Sequence, residues 1–216
     1  MVAQAEGQPR ARRKALSAQG ADEPVGTRTD RELRLIEVAA DMFHRRGYDA
    51  TTLQGIADEL GLLKGSVYHY IDSKDDLLWV VILREHNSMM SLVAECRAAE
   101  GTARDRLTML VRGYSRSLRE DRLFVSVYLR DVNRLSPERR ERIVTERDGY
   151  LTFVAELLEE GRATGVFRPD LDPTIASQGL VGMLNSMYRW YRPEGDTPPE
   201  EIVEEILRLI VDGVAA

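Results

Sequence analysis

The chain has 216 residues and a formal net charge of −6, with 43% hydrophobic and 31% charged residues. These values are typical of a globular protein long enough for one or two domains with a full core. One cysteine, Cys96, excludes an internal disulfide framework, and no apolar run approaches the roughly 18 residues of a membrane span, so the sequence predicts a cytoplasmic protein with no membrane partner.

The N-terminal segment, residues 1–27, has no apolar periodicity and is rich in Ala, Gln, Gly, Arg and Pro. It is predicted to be a flexible basic arm. Its cations, with Arg28, suit phosphate contacts or insertion into a minor groove, as basic arms of DNA-binding proteins do. The alternative is a solvated tail that only keeps the protein soluble. The cations of the arm are Arg10, Arg12, Arg13 and Lys14.

Helices are predicted for most of the remaining chain. A first helix begins at Thr29 or Asp30 and ends at Gly47, because apolar residues recur at spacings of three and four. Thr51 or Thr52 caps a short second helix that ends at Gly61. A third helix covers Lys64–Tyr70, and Ser73 caps a long fourth helix.

The same period continues beyond Gly101. Pro137 is placed in the first turn of a long helix, and the loop Gly161–Pro173 interrupts the pattern. Two final helices are predicted, at about Asp172–Tyr191 and Pro198–Gly213. Because no segment has the pattern of a strand, the predicted fold class is all-α.

The second and third helices have the spacing of a helix-turn-helix. Gly61 permits the turn, while Val67 and Ile71 give the third helix a narrow buried edge. The stretch Gly61–Ile71 contains Lys64 and no carboxylate, which favours local contact with phosphate despite the acidic chain. The alternative is a helix–glycine–helix segment that never contacts DNA.

The stretch TTLQGIADELGLLKGSVYHYIDSKDDLL, residues 51–78, resembles the N-terminal domain of the TetR family of transcriptional regulators. The resemblance implies a three-helix DNA-binding domain over residues 28–75 and a helical effector-binding and dimerisation domain over residues 76–216. The positions that match the family pattern are Thr52, Ile56, Ala57, Gly61, Leu62, Gly65, Ser66, Val67, Tyr68, Tyr70, Ile71, Ser73, Lys74 and Leu77.

The resemblance also implies roles for individual residues. Positions that touch the DNA backbone in the family are Thr51, Thr52, Ser66, Tyr68, Tyr70 and Lys74. Positions that contact base edges are Leu53, Lys64, Gly65 and His69. The sequence departs from the family pattern where Tyr70 replaces the commoner His, Ile71 the commoner Phe, and Leu53 a frequent polar residue.

The middle helices are rich in methionine and aromatic residues. An ordinary helical core is one interpretation, and the resemblance favours an effector pocket with adaptable side chains. Arg130 is predicted to pair either with an acidic group of the effector or with Asp131 or Asp121. The candidate pocket residues are Met90, Tyr114, Phe124, Tyr128, Arg130, Asn133, Tyr150, Met183 and Met187.

The nature of the effector and of the dimer is predicted from the C-terminal sequence. The stretches GVFRPDLD and GMLNSMYRWYRPEGDTPPEEI resemble TetR members that regulate lipid or acyl-CoA metabolism, which implies a small apolar effector such as a fatty acid or acyl-CoA. The last two helices are predicted to form a homodimer, although Trp190 can also pack within its own subunit. The candidate interface residues are Trp190, Ile202, Ile206, Leu209 and Ile210.

Metal and catalytic sites are not predicted. His44, His69, His86 and Cys96 match no metal-ligand spacing, and no nucleophile elbow or phosphate loop is present. The helix-turn-helix spacing and the resemblance to the TetR family imply a transcriptional regulator, a repressor released from a palindromic double-stranded DNA operator by its effector. Neither a cofactor nor an enzyme activity is predicted. The alternative is a helical interaction module or small-molecule carrier without DNA activity.

Overall fold

The computed structural model describes residues 28–192, 195, 197 and 199–214, and its elements are helices. The all-α prediction is confirmed, whereas the predicted arm, residues 1–27, lies outside the described residues. Within the described ranges, no helix has the length and apolar character needed to cross a membrane.

Helices α1, α2 and α4 begin at predicted caps, and α3 begins at the predicted Lys64 without a side-chain cap. Thr29 and Glu32 form a reciprocal capping box at the start of α1, and the Thr52 and Ser73 hydroxyls cap α2 and α4. Gly47 ends α1 with a φ of +83°, a left-handed conformation that favours glycine. The bounds are α1 Asp30–Arg46, α2 Leu53–Glu59, α3 Lys64–Val67 and α4 Lys74–Ala98.

Helices α5, α7 and α8 begin at polar side-chain caps in the same way. The side chains of Ser136 and Asp172 each accept a hydrogen bond from a main-chain amide two or three residues later in the chain. A proline directly follows each of these capping residues. The bounds are α5 Ala103–Glu120, α6 Arg122–Asp131, α7 Pro137–Ala163, α8 Pro173–Trp190 and α9 Pro199–Leu207. A 3₁₀ turn, Val132–Arg134, follows α6, and a π-helical turn, Arg208–Asp212, follows α9.

Helix α3 is shorter than the predicted segment Lys64–Tyr70. After Val67 the backbone tightens: the His69 amide donates to the Ser66 carbonyl and the Tyr70 amide to the Val67 carbonyl, 3.2 and 3.0 Å away. These bonds span three residues, the pattern of a 3₁₀ turn. His69 and Tyr70 therefore lie on this turn, which directs their side chains differently from a continuous α-helix.

The buried apolar residues form two cores that share α4. The N-terminal core joins α1, α2, α3 and the first half of α4, and it includes Phe124 and Val127 from α6. The C-terminal core joins the second half of α4 with α5, α7, α8 and α9. Since α6 contributes to the N-terminal core, the packing links the predicted DNA-binding and effector-binding parts of the chain.

Candidate DNA-binding surface and effector cavity

The arrangement of α2 and α3 is that of a helix-turn-helix. Gly61 has a φ of +65°, which permits the turn between the two helices. Val67 and Ile71 are fully buried, so one edge of α3 is fixed against the N-terminal core. The opposite side of α3 and of the turn after it lies at the surface.

Most of the predicted DNA-contacting residues share this surface. Thr52, Lys64, Gly65, Tyr68 and His69 are exposed. Leu53, Ser66 and Tyr70 are half-buried beside them. The surface formed by these eight residues, together with the exposed Leu63, is termed the α3 surface below.

Thr51 lies away from the α3 surface. Its side chain is fully buried, and its hydroxyl is 2.8 Å from the Gly47 carbonyl and 3.2 Å from the Met42 carbonyl. These contacts satisfy the C-terminal end of α1. The hydroxyl of Thr51 therefore holds the loop between α1 and α2, and it does not point towards a partner outside the protein.

Lys74 is partly used inside the protein. Its ammonium donates to the main-chain oxygens of Tyr48 and Thr51, both 2.9 Å away, and lies 4.1 Å from the centre of the Tyr48 ring. An ammonium has three N–H donors, so one of them is left for another acceptor. The side chain is half-buried at the edge of the α3 surface.

Leu63, which the sequence prediction did not include, is the most exposed large apolar residue of this region. It is 82% exposed and occupies the N-cap position of α3, next to Lys64. A leucine is usually assigned to the core from sequence. The signal that could have identified it is its position in the turn, outside the apolar periodicity of both α2 and α3.

A cavity of about 250 Å³ lies among five helices, from α4 to α8. Four of the nine predicted pocket residues line it, namely Met90, Tyr114, Tyr128 and Tyr150. The Tyr114 hydroxyl donates to the Asn185 side-chain oxygen at 3.0 Å, which fixes one wall of the cavity. The remaining lining residues are Glu85, Met89, Val125, Leu129, Arg147, Leu151, Gln178, Val181, Gly182 and Asn185.

The other predicted pocket residues lie outside this cavity. Phe124 belongs to the N-terminal core, beneath the Arg84 guanidinium, and Met187 is buried in the C-terminal core. Met183 is exposed on α8, and Asn133 is exposed in the turn after α6. An apolar stripe in a sequence shows that a helix is buried on one side, but it does not show which neighbour that side contacts.

Arg130 also lies outside the cavity, at the junction between α6 and α1. Its guanidinium donates to the Phe43 carbonyl at 2.5 Å and to Asp131, which is 2% exposed, at 2.7 Å. Of the alternatives left open by the sequence, the structure shows the pair with Asp131. The arginine thereby connects α6 to the end of α1.

Two charged residues of the cavity were missed from sequence. Glu85 is 4% exposed, and its burial, with the nearby Asp121 charge, raises the pKa of its carboxyl to about 8. Arg147 is exposed on α7 and makes no hydrogen bond or ion pair with another described residue. Neither belongs to an apolar stripe, so sequence periodicity could not place them in the cavity.

The predicted dimer residues divide between the core and the surface. Ile206 and Ile210 are buried in the C-terminal core, with Ile202 partly buried against it. Trp190 and Leu209 are 49% and 56% exposed. The exposed apolar residues of α8 and the last helix, Ile175, Met183, Trp190 and Leu209, are termed the α8 surface below.

Two family models match the chain. The model described as bacterial regulatory proteins, tetR family, matches residues 35–79, which include the helix-turn-helix. The model described as tetracyclin repressor-like, C-terminal domain, matches residues 100–214, which include most of the cavity lining. The residues between the two matched segments, 80–99, are the rest of α4 and the residue after it.

Curated and structurally solved relatives agree with these matches. The chain is 29% identical over 197 residues to the HTH-type transcriptional repressor KstR2 of Rhodococcus jostii, covering 91% of this chain and 96% of that protein. It is 22% identical over 183 residues to a fatty acid metabolism regulator protein of Bacillus subtilis, covering 84% and 94%. The structure of the ketosteroid transcriptional regulator KstR2 of Mycobacterium tuberculosis matches with a TM-score of 0.83 and 26% identity, covering 88% and 98%.

Proposed function

The chain belongs to the TetR family of bacterial transcriptional regulators, and from that premise we propose that it is a repressor released from a palindromic operator by a small apolar effector. The observation that carries this proposal is the pairing of an outward, carboxylate-free α3 surface with a separate cavity that is lined in part by α4, the helix that follows α3. Helix α4 begins at Lys74 and lines the cavity with Glu85, Met89 and Met90. The proposed place of action is the bacterial cytoplasm.

The α3 surface is proposed to enter a major groove. Lys64 and His69 are exposed and suit contacts with base edges, while Thr52, Ser66, Tyr68 and Tyr70 have hydroxyls that can donate to phosphate. Lys74 adds its remaining N–H donor to the phosphate contacts. Leu63 suits an apolar contact with a thymine methyl group, because no polar group on its side chain could bind a base edge.

The α8 surface is proposed to form a homodimer. A second copy would cover the exposed Trp190, Met183 and Leu209 side chains. Large exposed apolar patches commonly mark sites of protein–protein contact. Gly179 lies inside α8 with no atom within 4 Å of its missing side chain, so packing within the chain does not require glycine there. Glycine inside a helix costs about 0.5–1 kcal/mol relative to alanine, and close approach of a partner helix gives a reason to keep it.

The dimer determines the geometry of DNA binding. A two-fold axis would place two α3 surfaces in successive major grooves, with half-sites about one helical turn, or 34–36 Å, apart. An operator bound in this way is close to a palindrome, since each subunit contacts an equivalent half-site.

The effector is proposed to be a fatty acid or an acyl-CoA that occupies the cavity. The apolar and methionine-rich lining supports an acyl chain, and the name of the Bacillus subtilis relative supports a role near fatty acid metabolism. An effector can shift the protein between two states only if it binds one of them more tightly. The occupied cavity is proposed to favour a position of α4 in which the two α3 surfaces no longer match the operator spacing.

A gel-shift experiment tests the proposed function. The purified chain is incubated with the DNA that flanks its gene, with and without octanoyl-CoA. The proposal predicts a sequence-specific complex at low salt that the acyl-CoA dissociates. A chain that binds the acyl-CoA but forms no specific DNA complex would instead fit a carrier or interaction module.

A further inference from the structure

The cavity has two charged lining residues of opposite sign, on different helices. Glu85 lies on α4 and is almost fully buried, whereas Arg147 lies on α7 and is exposed at the rim. Every other lining side chain is uncharged or a tyrosine. The cavity therefore has an inner acidic group and an outer basic group.

Among the described residues, no cation forms an ion pair with Glu85. The neighbouring Arg84 is committed to Asp121 at 2.9 Å and lies 3.8 Å from the centre of the Phe124 ring. The only hydrogen bond to the Glu85 carboxyl among the described residues is a long one, 3.4 Å, from the Ser117 hydroxyl. The other carboxyl oxygen has no hydrogen bond to a described residue, and because Glu85 lines the cavity a ligand can supply one.

The protonation state of Glu85 determines which ligand group fits beside it. Burial raises the pKa of its carboxyl to about 8, so the group is mostly neutral near neutral pH and carries a proton that it can donate. A neutral acceptor oxygen on the ligand would accept this proton in a hydrogen bond. A second carboxylate would add an unpaired negative charge to a buried site, which is costly.

Arg147 suits the opposite end of the ligand. Its guanidinium has no hydrogen bond or ion pair with the rest of the described chain, and it can bind a carboxylate or phosphate with two parallel hydrogen bonds. The cavity volume of about 250 Å³ lies below the roughly 300–1,000 Å³ of common ligand pockets. A coenzyme A group therefore has to remain outside, on the exposed side where Arg147 lies.

We propose that the cavity binds a two-ended ligand, with an anionic group at Arg147, an apolar body along Met90 and Val181, and a neutral oxygen of a hydroxyl or carbonyl group at Glu85. This inference rests on the proposed effector function and specifies the chemical class of the effector. An unsubstituted acyl chain leaves Glu85 without a partner. The cavity thus selects acyl groups that are oxygenated near their far end.

Calorimetric titration of the full chain with matched acyl-CoA probes tests this inference. The probes are octanoyl-CoA, its derivatives with a ketone or an alcohol on the penultimate carbon, and its derivatives with a terminal carboxylate or a terminal amine. The same derivatives of hexanoyl-CoA and decanoyl-CoA cover shorter and longer distances between the two ends of the cavity. At the best length, the ketone or the alcohol should bind about three- to tenfold more tightly than the unsubstituted probe, as one added hydrogen bond predicts.

Three variants separate the two ends of the site. Glu85→Leu should abolish the preference for the oxygenated probe, while Glu85→Gln, which keeps a neutral donor, should retain it. Arg147→Gln should weaken all acyl-CoA probes by a similar factor and leave the preference unchanged. Thermal melting checks the fold of each variant, and the Gln variants keep the test valid if Glu85→Leu fails to fold.

The outcomes are distinguishable from those of the proposed function. Equal binding of oxygenated and unsubstituted probes at every length, tighter binding of the amine, or no binding at all would overturn this inference. Operator release is measured in parallel on the same samples. Selective binding without release overturns the release mechanism alone, whereas release by acyl-CoA without selectivity overturns only the two-ended ligand.

Discussion

The guanidinium of Arg130 on α6 donates a 2.5 Å hydrogen bond to the main-chain oxygen of Phe43 near the end of α1. Two further contacts cross the same junction: the His44 ring lies 2.5 Å from the Ser126 hydroxyl, and Arg134 pairs with Asp49 at 2.8 Å. Through these contacts α6, which lines the cavity with Val125 and Tyr128, is joined to the helix on which the helix-turn-helix packs.

Replacing Arg130 tests this junction. Arg130→Met should lower the free energy of unfolding by about 1–2 kcal/mol, because the Phe43 carbonyl and the buried Asp131 lose a charged donor. It should also reduce the change in operator affinity that an effector causes. Urea unfolding and fluorescence anisotropy with labelled operator measure the two effects. The exposed Arg116→Met is the control, and an effector response equal in both variants would show that the junction does not transmit it.

Lys74 is predicted to serve both the loop and the DNA. Lys74→Met should destabilise the protein by about 1–3 kcal/mol, since two carbonyls lose a charged donor. It should also reduce the salt dependence of operator binding by about 0.9 per subunit if its third N–H contacts phosphate. Lys64→Met, on the exposed part of α3, should leave stability unchanged. An unaltered salt slope in Lys74→Met would restrict this residue to a structural role.

Leu63 is predicted to contact a thymine methyl group. Replacing that thymine by deoxyuridine, which lacks only the methyl, should weaken binding of the natural chain several-fold. The same replacement should have no effect on Leu63→Ala. Anisotropy titrations of operators substituted one thymine at a time measure the difference. If no position responds in the natural chain, Leu63 does not contact thymine.

Glu85 gives a pH dependence of stability with a defined sign. Its pKa is raised from the model-compound value of 4.5 to about 8, so between these values the folded chain retains a proton that the unfolded chain releases. The protonated Glu85 carboxyl therefore contributes its full stabilisation below pH 4.5, and this contribution is lost as the pH rises through about 8.

Glu85→Gln removes this titration, because an amide cannot ionise. The variant should gain stability relative to the natural chain when the pH is raised from about 5 to about 8.5. Thermal melting across that range measures the gain, with the exposed Glu37→Gln as the control. A difference between Glu85→Gln and the natural chain that stays constant with pH would contradict the assigned pKa.

Trp190 tests the proposed dimer. Trp190→Glu places a charge in the α8 surface and should weaken dimerisation by about 2 kcal/mol or more, or roughly 30-fold, as for a central aromatic residue of an interface. Sedimentation analysis measures the dissociation constant. The control is Arg140→Glu, an exposed change on α7. If the Trp190 variant dimerises as tightly as the control, the dimer uses another surface.

Local signals predicted the fold well. The caps at Thr29, Thr52 and Ser73 and the turn at Gly61 depend on interactions within a few residues, and periodicity predicted the helices. The pocket was harder, because the lining depends on how five helices rotate against one another. Phe124 and Met187 are of the residue types that line apolar pockets, but their side chains pack in the two cores. Glu85 and Arg147 line the cavity although neither belongs to an apolar stripe. Leu63 was missed because its exposure results from the turn geometry.

Footprinting of the DNA that flanks the gene, with the full chain and with or without the effector, is the decisive measurement of repressor function. An effector-released repressor should protect a near-palindrome whose half-sites are about 10 base pairs apart or a multiple of that distance. Adding an oxygenated acyl-CoA that binds the cavity should remove the protection. A protected site that persists when the cavity is saturated, or no protected palindrome at low salt, would show that the chain is not a repressor of this kind.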